Sequence, residues 1–227
     1  MIYLMGGRGS SSGSSGGAAS DIWGSGGGGV LVGDQDLDIN LAGLTPMQGN
    51  KVDGAKTLAA VEQRTVGLDH EQLYVIDGQG FVVAATDGDK GSVPITARTA
   101  KNIKGNVMTH NHPRDDSEVN GGTFSYADIN CLSLGMSELR ATASEGTYSL
   151  KAKTNRADGR GFASYMIKQK STINKGMASA SAKVKASDYK SEKSFAAAKF
   201  NAEMSWLSGW YSQNAGKFGY EYSFTKS

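Results

Sequence analysis

The stretch Asn106-Val107-Met108-Thr109-His110-Asn111-His112-Pro113 decides how this chain is read. Residues 106–110 read as a β-strand, and strand side chains two apart share a face. His110 and His112 therefore project to one side, and Pro113 ends the strand and sets the exit direction. Further on, Ser125-Tyr126-Ala127-Asp128 opens a predicted helix, with Asp128 one turn past Ser125. Two imidazoles and one carboxylate can hold one cation. Two His, one carboxylate and a water make up the catalytic zinc pattern, with ligands at roughly 2.0–2.2 Å. An ion so held lowers the pKa of its water toward ~7 and polarises a carbonyl.

With these residues in view, His110-Asn111-His112-Pro113 followed by Ser125-Tyr126-Ala127-Asp128 resembles the signature of the JAB/MPN (JAMM) metalloproteases, His-x-His-Pro then Ser-x-x-Asp. The local form Thr-His-Asn-His-Pro is most similar to RadC-type and phage-encoded members. The family also carries an upstream Glu at the start of a strand, and Glu71, opening Glu71-Gln72-Leu73-Tyr74-Val75-Ile76-Asp77, matches it. The resemblance covers roughly residues 50–152. It implies an α/β fold with a mixed sheet flanked by helices. It also implies Zn²⁺ held by His110, His112 and Asp128, Glu71 as general base, and Ser125 as donor to the developing oxyanion. The implied reaction is hydrolysis of a peptide or isopeptide bond in a protein or peptide substrate. One departure bears on substrate and activity: residues 114–124 separate Pro113 from Ser125, a longer gap than the family's seven or so.

Working outward, Asp53 can cap a helix running to Gly67. Residues 71–77 and 81–86 read as a hairpin about the Asp77-Gly78-Gln79-Gly80 turn. Ser92 is expected to cap a helix with Pro94 in its first turn, reaching Ile103. Ser125 or Thr123 starts the helix carrying Ala127, Ile129, Leu132 and Leu134, and residues 138–143 and 147–151 look like a closing strand pair. Cys131, on the Asp128 helix, reads as a small buried apolar residue. As the single cysteine, it excludes an intramolecular disulfide and any multi-cysteine metal site.

The two ends differ from this middle. Residues 6–29, GGRGSSSGSSGGAASDIWGSGGGG, cannot bury enough apolar surface to offset their ordering entropy. We expect a disordered Gly/Ser arm over 1–33, with Ile22-Trp23 as a candidate docking anchor. Asp34, Asp36 and Asp38 alternate as in a calcium loop, but the glycine and distal glutamate of such a loop are missing. Residues 1–150 hold 10 Lys+Arg against 17 Asp+Glu, a balance of −7, and residues 151–227 hold 14 against 5, a balance of +9. The expected organisation is thus an arm (1–33), a metal domain (34–152) and a basic, mostly helical extension (153–227).

Several classes fall away. No apolar run approaches the ~18 residues of a membrane span, and the opening Met1–Met5 run is too short for a secretory signal. The expected setting is therefore cytoplasmic, with association to a virion also compatible. The string His-Asn-His does not supply the dispersed residues of an HNH nuclease. The alternative to an enzyme is a non-catalytic scaffold of a phage or mobile element. It would bind an acidic protein or a nucleic acid through the basic extension, where Tyr165, Tyr189 and Trp206 lie among the lysines.

Overall fold

The computed structural model describes residues 2–4, 23, 54–113 and 121–227. The acidic alternation at 34–38, Asp53, residues 114–120 of the loop and the expected disordered arm other than residues 2–4 and 23 lie outside the described residues; within that arm Ile2–Leu4 is a strand.

The described chain runs β1 (Ile2–Leu4), α1 (Gly54–Thr65), β2 (Gln72–Ile76), β3 (Val82–Asp87), β4 (Val93–Ile95), α2 (Ala97–Ile103), β5 (Val107–Asn111) and α3 (Tyr126–Cys131). It continues with β6 (Glu138–Ala143), β7 (Gly146–Ala152), α4 (Gly159–Lys168), α5 (Lys170–Ser181), α6 (Glu192–Asn214) and β8 (Tyr220–Lys226). Six strands form one mixed sheet in the order β3-β2-β5-β6-β7-β8, and β1 pairs with β4 in a separate two-stranded ribbon. The architecture is therefore α/β, with a mixed open sheet and a largely helical C-terminal part.

All neighbours in the large sheet are antiparallel except β5 and β6, which run parallel. A parallel pair needs a crossover between its strands, and α3 lies in that crossover. This connection carries the start of α3 back to the end of β5, where the two histidines are.

The period of two along each strand sorts the residues into two cores. Tyr74 and Ile76 of β2 face α1, packing with Val61, Val82 and Ala85. Leu73 and Val75 face the other way, into a larger core with Met108, Ile103, Ile129, Leu139, Phe162, Met166, Ile173 and Leu207. Each such side chain contributes about 1.5–3 kcal/mol on burial, so the core built by α2 to α6 dominates the stability. On the α1 side, Arg140 of β6 forks onto the Glu62 carboxylate at 2.6 and 3.0 Å and also reaches Glu138 at 2.8 Å.

Two expectations are corrected. Pro94 does not open a helix: Val93–Ile95 is a strand, Ser92 bonds back to Asp89, and Thr96 caps α2 by accepting the Thr99 N–H. Proline is tolerated there because, among the described residues, β4 pairs with β1 alone, and Pro94 sits opposite Tyr3. Nor do β6 and β7 close the sheet. Tyr220–Lys226 adds β8 to β7 along its full length, and Phe224 stacks on Tyr148. The alternation Tyr220, Tyr222, Phe224 is a period-two signal the sequence did contain. The extension is mostly helical, as expected, with Met166, Ile173, Met177, Met204 and Leu207 all buried. Among the described residues no helix is long and apolar enough to cross a membrane.

Candidate metal centre

The β2/β5 register pairs Leu73 with His110 and Val75 with Met108. Opposed residues in an antiparallel pair share a face, so His110 points into the larger core. By the same alternation, Glu71, two residues before Leu73, falls on that face of the sheet. Asn111 between the histidines points elsewhere: its Oδ1 accepts the Gln72 N–H at 2.7 Å and its Nδ2 donates to the His70 carbonyl at 2.9 Å. This amide clamps the start of β2 just where Glu71 lies. The Glu71 backbone is held from the other side by Asp89 and Gly88, at 2.8 and 2.9 Å.

Asp128 arrives from α3. Ser125 caps that helix through a reciprocal box: its Oγ accepts the Asp128 N–H at 3.3 Å, and Asp128 Oδ2 accepts the Ser125 N–H at 2.6 Å. The result is convergence. His110 Nε2 and His112 Nε2 face each other at 3.0 Å. Asp128 Oδ1 is 3.3 Å from His110 Nε2, and Asp128 Oδ2 is 3.8 Å from His112 Nε2. Ligands bound at about 2.0–2.1 Å on a tetrahedron stand about 3.3 Å apart, so these separations suit one small cation.

The protonation pattern agrees. His112 Nδ1 lies 2.9 Å from the Gly122 carbonyl, which can only accept, so Nδ1 carries the proton. Burial, and then the neighbouring His110, push the His112 pKa down to about 4, so the ring is neutral near pH 7. Its Nε2 lone pair is then turned into the cluster. Burial raises the Asp128 carboxyl, but His110, His112 and the Ser125 N–H outweigh it and hold the group below the usual carboxylate range. The anion is thus kept inside the fold. Asp128 Oδ1 and His110 Nδ1 are buried without a hydrogen bond. An unsatisfied buried carboxylate oxygen is costly, and a cation removes that cost at Oδ1. His110, His112 and Asp128 together can hold a metal ion.

The five residues named from sequence are all buried, at 2 % exposure or less. The structure brings His110, His112 and Asp128 into one cluster, hangs Ser125 on the same helix start, and sets Glu71 on the histidine face. Cys131 is buried one turn along α3, and burial pushes its thiol well up, as does the Asp128 charge. Sequence reading missed Gly122, whose carbonyl orients His112, and Asn111, whose signal was its place between the histidines. It also missed Gly121: a Cβ there would come within 2.8 Å of the His112 Cβ.

Comparison with family models, with curated proteins and with solved structures finds no match for this chain. What defines the protein's class is the site itself, a buried two-histidine, one-carboxylate group on an α/β fold.

Proposed function

We propose that this chain is a zinc-dependent hydrolase of the JAB/MPN (JAMM) type, cleaving a peptide or isopeptide bond. The observation that carries the reading is the convergence of His110, His112 and Asp128, with Glu71 on the same face of the sheet. A donor set of two imidazoles and one carboxylate favours zinc over calcium or magnesium, which prefer all-oxygen shells. Zinc, when bound, lowers the pKa of a water and polarises the scissile carbonyl. Glu71 would take the proton of the attacking water and pass it to the leaving amine. Ser125 Oγ spends a lone pair on the Asp128 N–H, which leaves its own proton to donate to the oxyanion. Asp128 and His112 stay fixed during this exchange, one by its cap and the other by the Gly122 carbonyl.

The test is metal content by elemental mass spectrometry, alongside cleavage of a pooled peptide library and of ubiquitin-like conjugates. About one zinc per chain, absent from the His110→Ala/His112→Ala variant, supports the reading. Cleavage that persists after chelation overturns it.

The burial of all five residues favours a second reading, in which the group holds an ion and the fold serves as a non-catalytic scaffold. Its partner would be an acidic protein or a nucleic acid at the lysines of 153–227. That reading requires zinc without hydrolysis, and binding that falls steeply with salt. Of its interleaved aromatics, Tyr165 stacks on Trp210 inside the fold and Tyr189 is exposed.

A further inference from the structure

We propose that Glu145, in the turn between β6 and β7, is a positioning residue for His112. The proposal rests on the reading of His112 as a metal ligand and adds a layer outside it.

The Glu145 carboxylate gathers two successive backbone donors. Oε1 accepts the Gly122 N–H at 2.9 Å and Oε2 accepts the Gly121 N–H at 3.2 Å. Tyr148 donates its hydroxyl to Oε1 at 2.9 Å and so fixes the carboxylate's rotation. Gly122, pinned in this way, presents its carbonyl to His112 Nδ1. The path is therefore carboxylate, backbone amide, backbone carbonyl, imidazole. It reaches the cluster without contributing a ligand to it.

The surroundings leave this loop little freedom. Gly121 packs so closely that a Cβ would sit 2.6 Å from the Ala143 Cβ and 2.8 Å from the His112 Cβ. Gly122 has φ +80°, a conformation that side chains resist. Met204 of α6 lies against it: a Cβ at Gly122 would be 2.9 Å from the Met204 Sδ. Two small residues with bare N–H groups, drawn to one anion, form the nest of donors that binds carboxylates elsewhere. Here the anion is built into the chain. A carbonyl so placed fixes both the tautomer and the plane of the histidine ring, and loss of such outer partners typically weakens metal binding by about 10- to 100-fold.

Glu145 also lines a cavity of about 370 Å³ with Tyr148, Met204, Ser208, Phe224 and Lys226. The positioning carboxylate therefore borders a cavity whose lining includes none of His110, His112 and Asp128.

The experiment uses the full chain labelled with ¹⁵N in its imidazoles, and reads two quantities. One is the His112 Nδ1–H resonance and its exchange with water in the metal-free protein; the other is zinc affinity by competition with a chelating dye. Glu145→Gln preserves volume but removes the charge and sets an amide N–H₂ against the glycine donors. It should speed exchange of the His112 proton, or populate the other tautomer, and lower zinc affinity about 10-fold, with unfolding still cooperative. Glu145→Ala should do so more strongly. Tyr148→Phe, which frees the carboxylate's rotation but leaves both glycine bonds in place, should move both readouts less than either Glu145 variant. The proposal is overturned if both Glu145 variants keep the wild-type resonance and affinity, or if Tyr148→Phe shifts them equally, since the effect would then be loosening of the turn. Loss of the Nδ1–H tautomer in the Glu145 variants, with a wild-type chain that keeps it but takes up no zinc, refutes the metal reading and leaves the positioning intact.

Discussion

Asp128 Oδ2 accepts the Ser125 N–H at 2.6 Å while Asp128 Oδ1, buried and without a hydrogen bond, turns to the His110 imidazole at 3.3 Å. One carboxylate both starts α3 and supplies the anion of the candidate metal centre. The helix cap thus sets the aim of the site, and the two functions can be separated by substitution.

Ser125→Ala removes the side-chain half of the cap. Loss of a Ser N-cap costs about 0.5–2 kcal/mol, read as a lower urea midpoint with unchanged slope. The backbone half of the box remains, so zinc should still bind. Under the proposed mechanism, hydrolysis falls about 10²- to 10³-fold, as for loss of one oxyanion donor, and Ser125→Thr restores it. An alanine variant with full activity would leave Ser125 as a cap only.

Glu71→Gln keeps the volume of a fully buried side chain and removes its charge. The fold and the zinc stoichiometry should survive, while cleavage drops by at least ~10²-fold, the usual contribution of a general base. Side-by-side elemental analysis and peptide cleavage check this. Hydrolysis at the wild-type rate would remove Glu71 from the chemistry.

Cutting the chain after Ala152 should abolish folding instead of releasing a metal domain. The cut removes β8 from the edge of β7 and takes Phe162, Met166, Ile173, Met177, Leu207 and Tyr211 from the core. At about 1.5–3 kcal/mol each, these together are as large as a typical domain's whole margin of about 5–15 kcal/mol. The measurement is urea unfolding of residues 1–152, and a cooperative transition there would show that the first part is self-sufficient. Loss of partner binding on truncation would consequently say little about the basic surface, and charge reversal of exposed lysines is the better probe.

Gly176 lets α5 approach α6, because a Cβ at that position would run into the Trp206 indole. Gly176→Ala gains helix propensity of about 1 kcal/mol but overpacks the contact at a cost of about 1–3 kcal/mol. The net effect should be a lower melting temperature. Pairing the change with Trp206→Leu should recover most of the loss, as a double-mutant cycle would show. Independent, additive effects would mean the two side chains do not meet.

The chemistry-bearing residues were legible because their spacing matches local geometry. His110 and His112 share a strand face by the period of two, and Ser125 and Asp128 share a helix turn by the period of the α-helix. The 71–87 hairpin and the α3 start followed from the same two periods. The stretch around Ser92 and Pro94 was misread because proline suits both a helix start and a single-neighbour strand, and only the pairing with Ile2–Leu4 separates them.

By itself, the sequence determined which side chains can bind a cation, which faces of the strands and helices are apolar, and where charge accumulates. Tertiary structure alone decided that β5 and β6 run parallel, so that the crossover returns Asp128 to His110 and His112. It also decided that β8, from the far end of the chain, closes onto β7, and that Gly122 and Glu145 brace His112 from outside. Those relations join residues distant in the chain. Local propensity carries no information about them, because they are fixed by which surfaces bury one another and by the need of each buried N–H, carbonyl and carboxylate for a partner.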